Sequence, residues 1–130
     1  MIFCVAELAY TTQVNNKTDV YSYGVVALEV IMGKHPGDLI SSLSSASSSS
    51  SVTAVADSLL LKDAIDQRLS PPIHHISEEV AFAVKLAFAC QHVNPHCRPT
   101  MRQVSQALSS QKPPLQKPFP IITLRELFQG

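Results

Sequence analysis

The chain has 130 residues, which favours at most one domain, and its hydrophobic content of 45% favours a buried core over disorder. Only 15% of the residues are charged, against about 25% in typical soluble domains, and the formal net charge is zero. This balance gives no electrostatic basis for binding nucleic acid or an acidic membrane. No apolar run approaches the roughly 18 residues of a membrane span. The three cysteines, Cys4, Cys90 and Cys97, form no recognisable disulfide framework, which favours a reducing, cytosolic setting.

The stretch DVYSYGVVALEVIMGKHPGD, residues 19–38, predicts a helix that is apolar on nearly every side. Thr18 or Asp19 can cap its start, because either side chain can accept a backbone N–H of the first turn. Gly33 can end it in the left-handed conformation that glycine adopts without strain. A helix without a polar face avoids water, so we expect this one to lie at the centre of a larger core.

The serine-rich residues 41–53 show no hydrophobic period and predict a flexible surface loop, with a phosphorylation cluster as the alternative interpretation. The stretch VADSLLLKDAIDQRLSPP follows and predicts one or two short helices that pack through their leucines, Leu69 among them. Asp63 and Asp66 could be a catalytic carboxylate pair. Local ion pairs, including one to Arg68, on a solvated helix face are the simpler interpretation.

Two more helices are predicted downstream. The first runs from about Glu78 to His92, is apolar around almost its whole circumference, and has Ser77 as its cap. The next begins after a proline, where Thr100 and Gln103 have the spacing of a capping box.

The tail, residues 111–130, has four prolines among its first ten residues, which predicts an extended linker. The stretch TLRELF then repeats the capping-box spacing at Thr123 and Glu126. Its apolar residues lie on one side: Leu124, Leu127 and Phe128. We expect this short amphipathic segment to dock on a neighbouring surface.

Several histidines and a cysteine could be interpreted as a metal cluster, but no pair has the spacing of a structural zinc site: His74, His75, His92, His96 and Cys97. Cys97 as a nucleophile would need a histidine placed by the fold, which closeness in sequence does not supply. The four glycines lack the spacing of a phosphate-binding loop. We therefore expect no catalytic, cofactor-binding or metal-binding residue in this chain, and we expect Cys90 to be a core residue.

Three motifs occur in a specific order: Ala6-Glu7, then DVYSYG at residues 19–24, then RPTM at residues 98–101. This order resembles the C-terminal lobe of eukaryotic protein kinases. Almost the whole chain resembles most the plant leucine-rich-repeat receptor-like serine/threonine kinases. The resemblance implies a mainly α fold, the helical C-terminal lobe of the kinase fold, with the N-terminal lobe and catalytic loop absent. It divides the chain into a partial kinase domain, residues 1–110, and a proline-containing tail, residues 111–130.

The resemblance also implies structural roles for Glu7, Asp19, Gly24 and Arg98. Asp19 would hydrogen-bond the backbone of the catalytic loop. Glu7 would pair with Arg98 and so tie the end of the activation segment to the loop before the last helix. The proline that the family has between Ala6 and Glu7 is missing here.

In the family that this chain resembles, the γ-phosphate of ATP is transferred to serine or threonine hydroxyls during receptor signalling, with ATP and magnesium as cofactors. The chain contains no glycine-rich loop, Val-Ala-x-Lys, His-Arg-Asp or Asp-Phe-Gly motif, so we expect it to be inactive alone. Its expected partners are the missing N-terminal lobe and catalytic loop of a full-length parent, and other signalling proteins. The alternative is a non-enzymatic docking or decoy module. We expect a cytoplasmic location, at the plasma membrane when the chain is part of a full receptor.

Overall fold

A computed structural model describes residues 16–37 and 59–129, without the side chains of Asn16 and Gln129. The helices in these ranges are α1 (Asn16–Met32), α2 (Leu61–Ala64), α3 (His74–Cys90), α4 (Met101–Ser109) and α5 (Leu124–Gln129). Short 3₁₀ turns span Pro95–Cys97 and Phe119–Ile121. The predicted mainly α class is confirmed for this part of the chain. The serine-rich loop predicted at residues 41–53 lies outside the described residues.

The core forms where α1 packs against α3. Its main cluster combines both helices with α2 and the tail, and consists of Leu28, Met32, Leu61, Ala64, Ala81, Val84, Ala87, Phe88, Ile122 and Leu124. A second cluster joins Val20, Cys90 and Val104, and so links the start of α1 to the end of α3 and to α4. Cys90 is fully buried, as predicted.

The two ends of α1 compare differently with the prediction. The helix begins at Asn16, so the predicted caps Thr18 and Asp19 lie within it, and that prediction is wrong. Asp19 still places a negative charge in the first turn, where the helix dipole favours it. The C-terminal end is as predicted, because Gly33 has a φ of 75° and its N–H donates to the carbonyl oxygen of Glu29 at 2.8 Å.

The start of α3 also differs from the prediction. The helix begins at His74 rather than Glu78, and Ser77 is buried inside its first turns instead of capping it. Ile73 holds the N-cap position and makes no side-chain cap. A sequence offers serine as the obvious cap, but the chain here enters the helix directly after its two prolines.

At α4 the predicted capping box is confirmed. The Thr100 hydroxyl accepts the N–H of Gln103 at 3.1 Å, and the Gln103 side-chain oxygen accepts the N–H of Thr100 at 2.9 Å. Two of the backbone donors at this helix start are thereby satisfied within four residues.

The short helix α2 buries only part of the apolar stretch that contains it. Leu61 is 1% exposed, whereas Leu69, which we expected to pack, is 70% exposed. The predicted ion pair between Asp66 and Arg68 is confirmed, with 2.7 Å between Oδ2 and the guanidinium. The Asp66 N–H also donates to the carbonyl oxygen of Ile31 at 2.8 Å, which fastens this loop to the end of α1.

The tail docks as predicted, and the surface that receives it belongs to the same chain. An isolated antiparallel bridge joins Leu60 to Thr123. The N–H of Leu61 donates to the Ile122 carbonyl oxygen, and the N–H of Leu124 donates to that of Leu59, each at 2.9 Å. Farther along, the ring of Phe128 meets Phe88 edge-on, with 5.3 Å between centroids. The tail thus supplies core residues, and the division of the chain at residue 110 stays a prediction.

The cysteines depart from expectation at one position. Cys90 carries a free thiol, but Cys97 is disulfide-bonded. Three cysteines at irregular spacing show no framework of several bridges. A single bridge leaves no such pattern, because folding, and not spacing, decides which cysteines meet.

Candidate functional site

The charged residue that the sequence singled out before the last kinase-like helix, Arg98, lies at the end of the Pro95–Cys97 turn. Asn94 starts this turn, since its side-chain oxygen accepts the N–H of His96 at 2.9 Å. Arg98 then turns its guanidinium back toward α3 and α1. Its Nε donates to the His92 carbonyl oxygen at 2.8 Å, and one terminal nitrogen donates to the Lys17 carbonyl oxygen at 3.0 Å.

The side chain of Lys17 in turn contacts the backbone of Arg98. Its ammonium donates to the carbonyl oxygen of Arg98 at 2.7 Å, although the two residues are 81 positions apart in the sequence. The guanidinium carbon of Arg98 also lies 4.8 Å from the centroid of the Tyr21 ring, within the range of a cation–π contact. These contacts hold the first turns of α1 to the loop between α3 and α4. We call the residues that make them the clamp: Lys17, Tyr21, His92 and Arg98.

The electrostatics of this clamp suit positioning and not proton transfer. Burial lowers the pKa of Arg98, partly offset by Tyr21 and Cys90. An arginine remains charged near neutral pH even so, and it cannot accept a proton. The same burial raises the pKa of the Cys90 thiol to about 11, although the charge of Arg98 opposes this. A thiol with that pKa is protonated and a poor nucleophile at neutral pH.

The remaining predicted site residues are distributed around this clamp. Asp19 is exposed, in the same first turn of α1 that Arg98 grips. Glu7 lies outside the described residues. The pairing of Glu7 with Arg98 and the contact of Asp19 with a catalytic loop stay predictions.

Gly24 lies where α1 and α3 approach each other closely. A Cβ placed there would lie 2.7 Å from the Ala87 carbonyl oxygen, 2.9 Å from Cγ of Gln91 and 3.0 Å from Cβ of Cys90. The first of these atoms is helix backbone and cannot turn away. Gln91 is itself buried and donates its side-chain N–H to the same Ala87 oxygen at 3.1 Å. Only glycine leaves room for this crossing.

The alternative chemical sites find no support in the geometry. The Asp66 carboxylate is engaged by Arg68, whose hydrogen bonds hold the pKa of Asp66 at about 2, so it is a charged partner and not a general acid. Among residues 16–37 and 59–129, no three or more His, Cys, Asp or Glu side chains are arranged to hold a metal. No helix within the same ranges is long and apolar enough to cross a bilayer.

The sequence missed three members of the clamp: Lys17, Tyr21 and His92. Two of them accept from Arg98 through backbone carbonyl oxygens, which every residue carries, so their identity gives no signal. Tyr21 stands inside the DVYSYG motif, but its contact with Arg98 depends on how α1 and the distant loop meet.

A comparison with known protein families shows which family has this arrangement of helices. The profile of the protein tyrosine and serine/threonine kinase family matches residues 2–108, which include α1, α3, the clamp and nearly all of α4. The chain belongs to this kinase family. The matched range ends before the tail, although the tail packs into the kinase core.

Relatives among plant receptor kinases are clear. The chain is 45% identical to the MDIS1-interacting receptor like kinase 2 of Arabidopsis thaliana over 107 residues, which is 82% of this chain and 10% of that protein. It is 41% identical to a probable leucine-rich repeat receptor-like protein kinase of the same plant, over 82% of this chain and 9% of the relative. No solved structure matches the chain significantly. The chain spans about a tenth of the length of these kinases.

Proposed function

We propose that this chain is the structural part of the helical lobe of a receptor-like serine/threonine kinase, and that it transfers no phosphate by itself. The observation that carries the proposal is an apolar side of α1 that stays exposed against the described residues. Val26 and Val30 are 54% and 73% exposed, although they lie on a helix whose opposite side is fully buried. An apolar helix side is stable in a folded protein when another segment covers it.

In a full-length parent, the covering segments would be the catalytic loop and the elements before it. That parent would transfer the γ-phosphate of ATP to serine or threonine hydroxyls, using magnesium, at the cytoplasmic side of the plasma membrane. The groups that position phosphates and magnesium in kinases belong to motifs that this sequence does not contain. This chain would then contribute a rigid structural support, with Asp19 and Arg98 as contacts for the upstream segments.

The first test is phosphate transfer from radiolabelled ATP to a general serine- and threonine-containing protein, with the purified chain as the only enzyme. We expect no incorporation above that of a sample without the chain. Incorporation that increases with the amount of chain would contradict the proposal.

The second test is complementation. The chain would be co-expressed with the upstream half of a receptor-like kinase domain, and recovery of kinase activity would be measured. We expect Val26→Asp to abolish recovery, since it puts a charge into the covered side of α1. The matched change Val93→Asp lies in the loop after α3 at a position 79% exposed, and it should leave recovery unchanged. Equal recovery by both variants would contradict a covered role for Val26.

A docking or decoy module is the second candidate, and the docking of the tail favours it. Ile122 and Leu124 complete a core made by α1, α2 and α3 within this chain. Such a core could fold alone and present a surface to partners. A single cooperative unfolding transition in urea would support this function, whereas a gradual transition would favour the lobe that needs its parent.

A further inference from the structure

The tail packs into the core of this chain, although it lies beyond residue 108, where the match to the kinase family ends. The groove that receives it is formed by residues 59–61, which pair with the tail backbone, and by α3, which packs against α5. The docked tail shows which segment the groove accepts. That segment is an extended stretch with Ile122, followed by a short helix that supplies Leu124 and Phe128. Every other copy of the chain carries the same segment.

The docked segment holds its own shape through contacts within itself. The Glu126 side chain accepts the N–H of Thr123 at 3.0 Å, and the Thr123 hydroxyl accepts the N–H of Glu126 at 3.3 Å. The ammonium of Lys117 contacts the Glu126 carboxylate. None of these contacts depends on which chain provides the groove. The segment can therefore dock as one unit, in its own chain or in a second copy.

Two exposed prolines, Pro113 and Pro114, join this unit to the rest of the chain. Before them, the Lys112 ammonium donates to two carbonyl oxygens at the end of α4, each at 2.7 Å. After them, Leu115 packs against the main core cluster. Within the described residues, no backbone-to-backbone hydrogen bond involves residues 111–117. The connection is thus a short hinge between two fixed points, and it is stiff because consecutive prolines favour an extended conformation.

Large apolar side chains beside the docked tail remain in water. Leu69, Ile73 and Ile121 are each more than half exposed. Leu69 and Pro72 line a cavity of about 320 Å³ together with Phe119 of the tail, so this apolar patch borders the docked segment. The described residues of one chain leave the patch uncovered. In a dimer that is joined through its tails, the second copy would lie next to it.

We propose that the tail exchanges between two copies of the chain, so that each tail of a dimer docks in the groove of the other copy. The groove contacts are the same in both states, and short, stiff hinges favour the exchanged one. A segment on a short linker reaches an effective concentration in the millimolar range, so the dimer share should rise between about 10 μM and about 1 mM chain. This exchange does not depend on the proposed kinase function.

The pair Leu60 and Thr123 gives a direct test. These residues face each other in the antiparallel bridge, and the backbone hydrogen bonds flank the pair, an arrangement that brings side chains close enough for a disulfide. Two 130-residue variants, Leu60→Cys and Thr123→Cys, would be mixed at rising concentration with oxidised glutathione. We expect a covalent dimer in which mass spectrometry of tryptic peptides finds the two introduced thiols bonded to each other.

Two controls make the result decisive. Leu60→Cys mixed with Ser105→Cys, on the exposed side of α4, measures random collision and should give at least about tenfold less bonded product. The double variant Leu60→Cys/Thr123→Cys, in dilute solution, should form the bond within one chain. Equal yields from the two mixtures, or no bond between the chains at any concentration, would overturn the proposal. A double variant that forms no bond would also overturn it, because the groove would then not hold the tail.

The hinge gives a second, independent test. Deleting Pro113 and Pro114 should raise the dimer share, because the tail no longer reaches its own groove. Replacing both prolines by glycine should lower the dimer share, because a flexible hinge lets the tail fold back. Size-exclusion chromatography with light scattering measures both variants at one concentration, and an equal dimer share in the two would overturn the proposal.

Discussion

The two sides of α1 both carry large apolar residues but differ in burial. Val20, Gly24 and Leu28 follow one another at intervals of four and face α3, and Val20 and Leu28 are 0% and 1% exposed. Ser22, Val26 and Val30 follow the same interval two residues later, on the opposite side, and the two valines are more than half exposed. Hydrophobic content alone does not determine burial in this helix.

The difference shows what composition can predict and what it cannot. An all-round apolar helix indicates that both sides are meant to be covered, and this expectation came from sequence alone. Which side is covered within this chain depends on α3, whose position is a property of the fold. The exposed valines therefore point to a contact that the described residues do not make.

The largest expected effect compares Leu28→Ala with Val26→Ala. Leu28→Ala should lower the free energy of unfolding by about 2–5 kcal/mol, because it opens a cavity in the core. Val26→Ala should change it by no more than about 0.5 kcal/mol, because the valine is already in water and alanine favours helix. Urea unfolding followed by circular dichroism measures both, and equal losses would show that the two sides are equally buried in solution.

Gly24→Ala addresses the buried side at its closest approach. The added methyl would lie 2.7 Å from a backbone oxygen of α3, so the helices must separate. We expect a loss of about 1–3 kcal/mol, despite the better helix propensity of alanine. Ala89→Gly, at an exposed position of α3, is a control for the propensity term alone. A gain in stability from Gly24→Ala would show that the crossing is looser than the structure indicates.

Much of the fold could be predicted because local chemistry determined it. Gly33 ends α1 since only glycine takes its left-handed conformation without strain, and Thr100 with Gln103 starts α4 within four residues. The start of α3 could not be predicted, because no cap exists there and Ser77 suggested a false one. The docking of the tail was predictable from Leu124 and Leu127, but the surface that receives it was not.

The candidate site shows the same limit. The sequence identified Arg98 by resemblance, but not Lys17 or His92, which hold it through backbone carbonyl oxygens. Contacts to backbone oxygens depend on where the backbone passes and not on side-chain identity, so the sequence does not predict them.

Arg98→Met should have a smaller effect than the core changes. The change removes two hydrogen bonds and the contact with Tyr21. The methionine side chain still fills part of the space that the aliphatic part of the arginine occupied. We expect a loss of about 1–3 kcal/mol in unfolding free energy, with the start of α1 affected first. Hydrogen exchange should show faster exchange at amides following Lys17. Arg102→Met, at an exposed position of α4, is the matched control, and an equal effect there would argue against the clamp.

The smallest expected effect is that of Val26→Cys, which adds an exposed thiol on α1 for comparison with the buried thiol of Cys90 on α3. We expect this change to leave stability at neutral pH unaltered. Cys90 faces α1 and is fully buried, with its pKa raised to about 11, so at pH 7.5 its thiolate is scarce and shielded. A thiol introduced by Val26→Cys would be in water with an ordinary pKa of about 8.5. We expect it to react with a disulfide reagent at least about a hundred times faster than Cys90. Because burial raises the pKa of Cys90, its contribution to stability is complete below the unfolded pKa and is lost as pH rises toward 11. Rapid reaction of Cys90 at pH 7.5 would mean that α1 and α3 separate in solution, and the distinction between a covered and an uncovered side of α1 would then not hold.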